Sequence, residues 1–277
     1  MKLVTYNTQY GVGRDGKFDL ERIARKVEDA DIIALQEVTR NFARNGGVDM
    51  IDGLAALLPD YFTAFGPAMD LDFGTTDSEG RPLNKRFQFG NMVLARFPIV
   101  ASRNLLLPRT LRFSRGNLQR STLEALIMAP SGPIRIYSVH LDHVSATERA
   151  LQISHLKERA FAYAGEGGAI SGSAEYGFSE PPRPEAFVLM GDFNMDRSSP
   201  EYALMVGEQD DTSRAADPID IYALSNCLPD GAVSWVDEAK PEANRLIDYA
   251  FVEKSLAGRV GKVWIDRQAK GSDHLPV

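Results

Sequence analysis

Short runs of apolar residues recur along the chain and predict the strands of a β-sheet protein. Each run is four to six residues long and rich in Val, Ile, Leu and Met. Runs of this length are typical of strands that are buried on both faces. The predicted strands cover residues 3–6, 32–35, 92–95, 134–139, 187–190, 247–252 and 260–265.

Helical patterns lie between these strands. A first helix carries apolar residues at the i, i+3, i+4 and i+7 positions of one face: Leu20, Ile23, Ala24 and Val27. A second helix begins at a capping box, in which the Ser145 hydroxyl accepts from the Glu148 amide and the Glu148 side chain reaches back. A shorter helix over 50–58 ends before Pro59. Strands that alternate with helices indicate a chain of the α/β class.

Two segments have the composition of loops. Residues 70–89 carry Gly and Pro among mixed charges, and residues 165–186 hold five glycines and three prolines. Because strands resume at once after 165–186 and polar strand ends lie on both sides of it, we interpret this segment as a flexible insertion. The chain is therefore predicted to be a single domain over residues 1–277.

Composition narrows the class of protein. The chain is 44% hydrophobic and 25% charged, and no run approaches the roughly 18 apolar residues of a membrane-spanning helix. A net charge of −7 disfavours a protein that coats nucleic acid, although this charge is compatible with a local basic groove. Cys227 is the one cysteine, so no internal disulfide is possible. Since residues 1–7 resemble a strand rather than a secretory signal, we expect a cytoplasmic protein.

Polar and acidic residues stand at the ends of the predicted strands, where binding sites of α/β proteins are commonly built. Each of them alone is weak evidence for a functional site, because residues at strand ends are commonly polar where the chain leaves the core. These residues are Asn7, Gln36, Glu37, His140, Asp192, Asn194, Asp248, Asp273 and His274.

Taken together and in order, these segments resemble the endonuclease/exonuclease/phosphatase superfamily, which includes deoxyribonuclease I, abasic-site nucleases, inositol-polyphosphate 5-phosphatases and neutral sphingomyelinases. The resemblance implies an α/β (α+β) fold, a four-layered sandwich of two mixed β-sheets packed face to face with helices on the outside. The matching segments are Tyr6-Asn7, Leu35-Gln36-Glu37, Gly90-Asn91-Met92-Val93-Leu94, Val139-His140-Leu141, Gly191-Asp192-Phe193-Asn194, Ile247-Asp248-Tyr249 and Ser272-Asp273-His274.

The resemblance also implies a metal centre. Glu37 is the expected principal ligand of Mg²⁺ or Mn²⁺, with Asn7 and Asp273 as further ligands. Carboxylate and amide oxygens are the donors that these hard cations prefer. Hydrolysis of a phosphate ester needs positive charge beside the phosphoryl group and an oriented water, and such a centre would supply the charge.

The implied catalytic residues are two histidines and three partners. An imidazole titrates near neutral pH, and Asp248 is expected to orient His274. Asp192 and Asn194 are expected beside the attacking water and the phosphate, and the sequence leaves open whether His274 or Asp192 is the base. His140 is expected to donate to a phosphate oxygen or to assist the leaving group.

Further residues are expected at the substrate. Arg120 matches a phosphate-contacting arginine loosely, with a surface arginine as the alternative. Asn91 and His143 are assigned to substrate binding, with Asn91 supporting the site from behind. Trp235 and Trp264 offer faces for stacking, although aromatic residues are more often packing.

The bond type is better defined than the substrate. A phosphodiesterase acting on a small molecule or a lipid headgroup is the first choice, because the region before Asp248 is acidic and carries one tryptophan. A DNA endonuclease or exonuclease is the alternative, and a binding module without catalysis is the third interpretation. No obligate protein partner is inferred. Relatives usually continue into a strand after Ser-Asp-His, so the packing behind His274 stays open.

Overall fold

Two β-sheets face each other and carry helices on their outer sides. The computed structural model describes residues 1–112, 116–207, 217–225 and 231–277. The strands are β1 (Leu3–Asn7), β2 (Ile32–Arg40), β3 (Phe62–Asp72), β4 (Thr75–Thr76), β5 (Pro82–Leu83), β6 (Arg86–Ala95), β7 (Ile99–Leu106), β8 (Ser121–Ala129), β9 (Gly132–His140), β10 (Phe187–Asp192), β11 (Ile219–Asp220) and β12 (Asp248–Val252). The α-helices are α1 (Leu20–Val27), α2 (Met50–Leu57), α3 (Ala146–Glu166), α4 (Pro200–Val206) and α5 (Ile221–Ser225).

Both sheets are mixed. The first has the strand order β1-β2-β6-β3, with β1 parallel to β2 and the other pairs antiparallel. The second has the order β11-β12-β10-β9-β8-β7, with β9 parallel to β10. The predicted strands at 3–6, 32–35, 92–95, 134–139, 187–190 and 247–252 all fall in these sheets, with shifted ends.

Three apolar layers hold the sandwich together. Successive side chains of a strand point to opposite faces, so each strand contributes to two layers. In β2, Ile33 and Leu35 pack against the outer helices α1 and α2, whereas Ile32 and Ala34 face the second sheet. In the second sheet, Phe187 of β10 contributes to the layer beneath α3 and α4. The predicted four-layered α/β sandwich is therefore confirmed.

Two strand and loop predictions are wrong. Residues 260–265 form no strand: the side chains of Val260, Val263 and Ile265 pack on the core, and the backbone of this segment pairs with no neighbouring strand. Residues 70–89 are not a loop but an extended hairpin, in which β3 runs to Asp72, β6 begins at Arg86, and β4 pairs with β5. The hairpin side chains are mostly exposed, and charged residues alternate with exposed apolar ones such as Leu71, Phe73 and Leu83. No buried apolar run therefore marks this strand pairing in the sequence.

The three predicted helices begin where the sequence predicts, whereas α4 and α5 were not predicted. Asp19 caps α1, and the Ser145 hydroxyl accepts from the Glu148 backbone N–H at 3.2 Å to cap α3. Glu148 does not reach back to Ser145, because its carboxylate accepts from the backbone N–H of Thr110 at 2.8 Å. Among the residues given above, no helix is long and apolar enough to cross a membrane. Cys227 lies outside the described residues.

The predicted insertion at 165–186 holds one short 3₁₀ turn, Ser173–Tyr176. Its end is held by the buried Arg135, whose guanidinium donates to the backbone carbonyls of Pro184 at 3.0 Å and Glu185 at 2.7 Å. The flexibility of this segment stays a prediction.

Candidate active site

The space between the two sheets changes from apolar to polar toward one end. On β10, Val188 and Met190 face the first sheet, and the next residue on that face is Asp192. On β12, the same row passes from Val252 and Ala250 to Asp248. Because side chains alternate along a strand, the polar residue at each strand end points into the same interior space. The corresponding residues of the other strands are Asn7 on β1, Asn91 on β6, Ser121 on β8 and His140 on β9.

A layer of polar side chains joins the two sheets beneath this end. The Gln36 side chain donates to the Ser138 hydroxyl at 2.9 Å, and that hydroxyl donates to the Leu35 carbonyl at 3.0 Å. Asn91 similarly crosses between the sheets and donates to the Ser121 carbonyl at 2.8 Å. Buried polar groups that are fully hydrogen-bonded fix the relative position of the elements that carry them. Gln36 and Ser138 thus form a supporting layer whose function could not be assigned from one sequence.

Glu37 stands at an irregularity in β2. The pairing of β2 with β6 shifts register between Leu35 and Val38, and Glu37 adopts a left-handed backbone conformation with φ +58°. Such conformations are strained for residues other than glycine and are common at functional sites. The bulge places the Glu37 carboxylate 3.9 Å from Nε2 of His140. Burial raises the pKa of Glu37, and the nearby Arg120 guanidinium opposes that rise.

His274 and Asp248 form a buried hydrogen-bonded pair. Nδ1 of His274 lies 2.8 Å from Oδ2 of Asp248, and Nε2 faces Asp192 at 3.7 Å. Burial lowers the pKa of His274, but Asp248 and Asp192 outweigh it and raise the pKa to about 10. The segment after His274 is well anchored, because Val277 exchanges two backbone hydrogen bonds with Thr5 at 2.9 and 3.1 Å.

Asp192 is positioned by the Gly-Asp-Phe-Asn segment. A Cβ on Gly191 would lie 1.9 Å from the Val139 carbonyl oxygen, so glycine is required where β10 approaches β9. The two Asp192 oxygens accept from the Asn194 backbone N–H at 2.9 Å and from the Asn7 side chain at 3.0 Å. Burial raises the pKa of Asp192 to about 7, against the lowering effect of His274.

His140 and Arg120 complete the floor of the cleft. Arg120 is 3% exposed, which excludes the surface arginine that the sequence left open. Its Nη1 lies 2.9 Å from Nε2 of His140, and its Nη2 lies 2.9 Å from Nδ1 of His143. Burial and the Arg120 charge hold the pKa of His140 well below its usual range, so this imidazole is neutral at pH 7. His143 is exposed at the cleft.

The remaining predicted residues have different positions. Asn91 is buried and does not line the cleft; its contact to Ser121 supports the strand that follows Arg120. The Asn194 side chain lines the cleft and donates to the Leu141 carbonyl at 3.2 Å. Asp273 also lines the cleft, and its Oδ2 accepts from the Trp235 indole N–H at 3.0 Å.

The site opens into a cleft of about 620 Å³. One wall is apolar and aromatic, with Tyr10, Phe42, Phe87 and Phe89. The lining also includes Trp235, with the guanidinium of Arg245 at 5.4 Å from its ring centre. A cleft of this size and lining fits a small organic molecule that presents an anionic group to the polar floor.

The donor set fits a hard divalent cation. Four carboxylates meet at the floor, those of Glu37, Asp192, Asp248 and Asp273, and the resulting repulsion raises the pKa of Glu37 and Asp192 beyond the effect of burial. A cation bound among them would relieve that repulsion. Ligand atoms of Asp192, Asp248 and His274 lie within 4.8 Å of one another and form a possible metal site. Glu37, Asn7 and Asp273 offer further oxygen donors beside the His274–Asp248 pair. The Asn7 side-chain oxygen also accepts from the Gln9 backbone N–H at 3.0 Å, and the two Asp273 oxygens accept from Ser272 and Trp235.

The sequence profile of the Endonuclease/Exonuclease/phosphatase family matches residues 4–274. The chain therefore belongs to this family. None of the curated proteins compared with the chain matches it significantly.

Solved structures share the fold across the whole chain. An endonuclease/exonuclease/phosphatase from Beutenbergia cavernae has a TM-score of 0.67 at 20% identity, and the match covers 100% of this chain and 69% of that one. A mannosyl-6-phosphatase from Bacteroides thetaiotaomicron has a TM-score of 0.63 at 19% identity, covering 100% and 97% of the two chains. Staphylococcus aureus beta toxin has a TM-score of 0.59 at 14% identity, covering 100% and 98%. At these identities the likeness shows the fold alone.

Proposed function

We propose that this protein is a divalent-metal-dependent phosphoester hydrolase. Members of its family are phosphoester hydrolases. The observation that carries the proposal is the buried pair of His274 and Asp248, which faces Asp192 across 3.7 Å at the floor of an acidic cleft. A binding module would have no need for this costly cluster of buried ionisable groups.

Glu37, with Asn7 and Asp273, would hold Mg²⁺ or Mn²⁺. When bound, the metal supplies positive charge beside the phosphoryl oxygens. This assignment gives a physical role to the backbone strain at Glu37, which presents a carboxylate to the cleft at the point where the strand would otherwise turn it away.

Asp192 is the proposed general base. In the metal-free protein burial raises its pKa to about 7, so this buried carboxylate is a stronger base than an exposed one and can accept a proton from the attacking water. The hydrogen bonds from Asn7 and from the Asn194 backbone fix the plane of the carboxylate. His274, whose pKa is about 10, stays protonated and presents Nε2–H to the developing charge on the phosphoryl group.

His140 and Arg120 would bind the phosphoryl oxygens from the other side. Neutral His140 can donate one ring N–H, and Arg120 adds a buried positive charge within hydrogen-bonding distance of it. Two donors on this side and His274 on the other would orient the ester for attack.

For the substrate we propose a phosphodiester of a small molecule or a lipid headgroup. The aromatic wall at Tyr10, Phe42 and Phe87 would contact the organic part of the ester. The net charge of −7 disfavours the alternative, a DNA nuclease. The family match over residues 4–274 also supports the proposal that the chain acts as a single domain.

The test is hydrolysis of a chromogenic phosphodiester and of the matching monoester with Mg²⁺ or Mn²⁺. We expect turnover that a chelator abolishes and that His274→Ala reduces by at least about 100-fold. His155→Ala is the matched control, since this histidine lies on α3 outside the cleft. Preference for the monoester would refute the phosphodiesterase assignment. If the protein hydrolyses none of four substrates (the diester, the monoester, a phospholipid and an abasic DNA duplex), the proposed activity is wrong.

A further inference from the structure

A short segment, Ser234-Trp235-Val236, lies between the two parts of the chain that carry the His–Asp pair. The backbone of Trp235 forms bridges with Arg245 on one side and with His274 on the other. Leu275 donates its backbone N–H to the Ser234 carbonyl at 2.7 Å. We call residues 234–236 the clip, because they hold the approach to β12 and the end of the chain side by side.

The clip also fixes the backbone at Asp248. The Ser234 hydroxyl is buried and accepts from the backbone N–H groups of Ile247 at 3.0 Å and Asp248 at 2.9 Å. The clip therefore adds to the anchors of the pair, which are the pairing of Asp248 in β12 with β10 and the bonds of Val277 to Thr5.

The side chain of Trp235 extends this arrangement to Asp273. Its indole N–H donates to Oδ2 of Asp273 at 3.0 Å, while Oδ1 of the same carboxylate lies 4.0 Å from Nε2 of His274. Arg245 covers the indole ring, with its guanidinium 5.4 Å from the ring centre. The indole hydrogen bond to Oδ2 and the Ser272 hydroxyl, which donates to Oδ1 at 3.2 Å, together favour one orientation of the Asp273 carboxylate.

We propose that Trp235 is a positioning residue, whose indole N–H holds the Asp273 carboxylate in the orientation in which it can bind a divalent metal beside the His274–Asp248 pair. The inference rests on the proposed function, because it concerns the same metal position. Groups that hydrogen-bond to metal ligands orient them and set their affinity. In this chain the orienting group belongs to the clip, so one segment contributes to the position of both the His274–Asp248 pair and the carboxylate.

The first test is Mn²⁺ binding measured by calorimetry, without any substrate. Trp235→Phe keeps the aromatic ring and removes the N–H, and we expect it to weaken Mn²⁺ binding by about tenfold. Trp264→Phe is the matched control, because Trp264 is 45% exposed and contacts Lys2 and Lys262 away from the cleft. In an Asp273→Asn background, Trp235→Phe is expected to cause little further loss. Unchanged Mn²⁺ affinity in Trp235→Phe would overturn the inference.

A second measurement does not depend on whether the Trp235→Phe variant folds. The chain has two tryptophans, so Trp264→Phe leaves Trp235 as the one fluorescent indole. We expect Mn²⁺ to quench its emission in a saturable way, with the affinity found by calorimetry, and a chelator to restore it. Absence of quenching at a saturating Mn²⁺ concentration overturns the inference.

The two hypotheses fail in distinguishable ways. Tight Mn²⁺ binding that depends on the Trp235 N–H, in a protein that hydrolyses no ester, would refute the proposed activity and support the positioning role. Ester hydrolysis with a Mn²⁺ affinity that Trp235→Phe does not change would support the activity and refute the positioning role.

Discussion

Removal of the Asp248 charge should change how the stability of the protein depends on pH. In the metal-free protein, Asp248 and Asp192 outweigh the effect of burial and raise the pKa of His274 from 6.5 to about 10. In the unfolded chain the same imidazole is expected to titrate near its ordinary value. Between these two values the folded state therefore holds one proton more than the unfolded state. Stability from this group is complete below the unfolded pKa and is lost as the pH rises toward the folded one.

The magnitude follows from the two pKa values. A shift of this size corresponds to about 5 kcal/mol at low pH, as an upper limit. Between pH values of about 7.5 and 9.5, linkage predicts a loss of about 2.5 kcal/mol in the free energy of unfolding from His274 alone. Asp248→Asn removes the 2.8 Å ionic partner, while Asp192 still faces Nε2 at 3.7 Å, so the variant should keep only part of this loss.

The assay is urea unfolding at both pH values in the presence of a chelator. The variant should be less stable than the wild type, and the difference should shrink by up to about 2.5 kcal/mol from the lower to the higher pH. Asp266→Asn is the control, because it removes a partly exposed ion pair with Lys26 whose loss should change stability equally at both values. A difference between Asp248→Asn and wild type that is the same at both pH values would refute the reasoning.

Three further outcomes are expected. Glu37→Gln should reduce metal-dependent turnover by at least about 100-fold while raising the Tm of the chelated protein, because it removes a partly buried charge that Asp273 repels; an unchanged turnover would contradict the assignment. Gly191→Ala should lower the free energy of unfolding by about 1–3 kcal/mol through overlap with the Val139 carbonyl, whereas Gly258→Ala, with open space around it, should have little effect in the same urea titration. Gln36→Leu should cost about 1–3 kcal/mol by leaving polar groups between the sheets unpaired, and a cost within error of zero would show that this layer does not join them.

The fold was predictable where strands are buried on both faces. Residues such as Ile32 to Leu35 and Phe187 to Met190 are apolar in succession, because one face meets the other sheet and one meets helices. The hairpin around Asp72 and Arg86 was not predictable by that signal, since its strands pair in solvent. The apolar run at 260–265 gave the opposite error. It was predicted as a strand because it is apolar, but its apolar residues pack on the core without pairing with a neighbouring strand.

The candidate site was predictable as a set of residues but not as a geometry. The polar strand ends and the order of the motifs identify Glu37, His140, Asp192 and His274 as candidates, and the structure places them around one cleft. The support for the site comes from contacts between distant segments, such as Trp235 to Asp273 across a sequence separation of 38 residues. No local pattern specifies a contact of that range, so one sequence cannot assign it.

The polar end of the sandwich is costly to fold, and the cost has a functional reason. Apolar residues continued to the end of β10 and β12 would bury surface without charge repulsion, whereas Asp192 and Asp248 sit side by side in the ladder. The neighbouring Glu37 adds strain as well as charge. A cation held by these oxygens removes much of the repulsion, so binding and stability should be linked. A site of this kind is weakest in the absence of its metal, and the apolar layers below it supply the stability that allows it to exist.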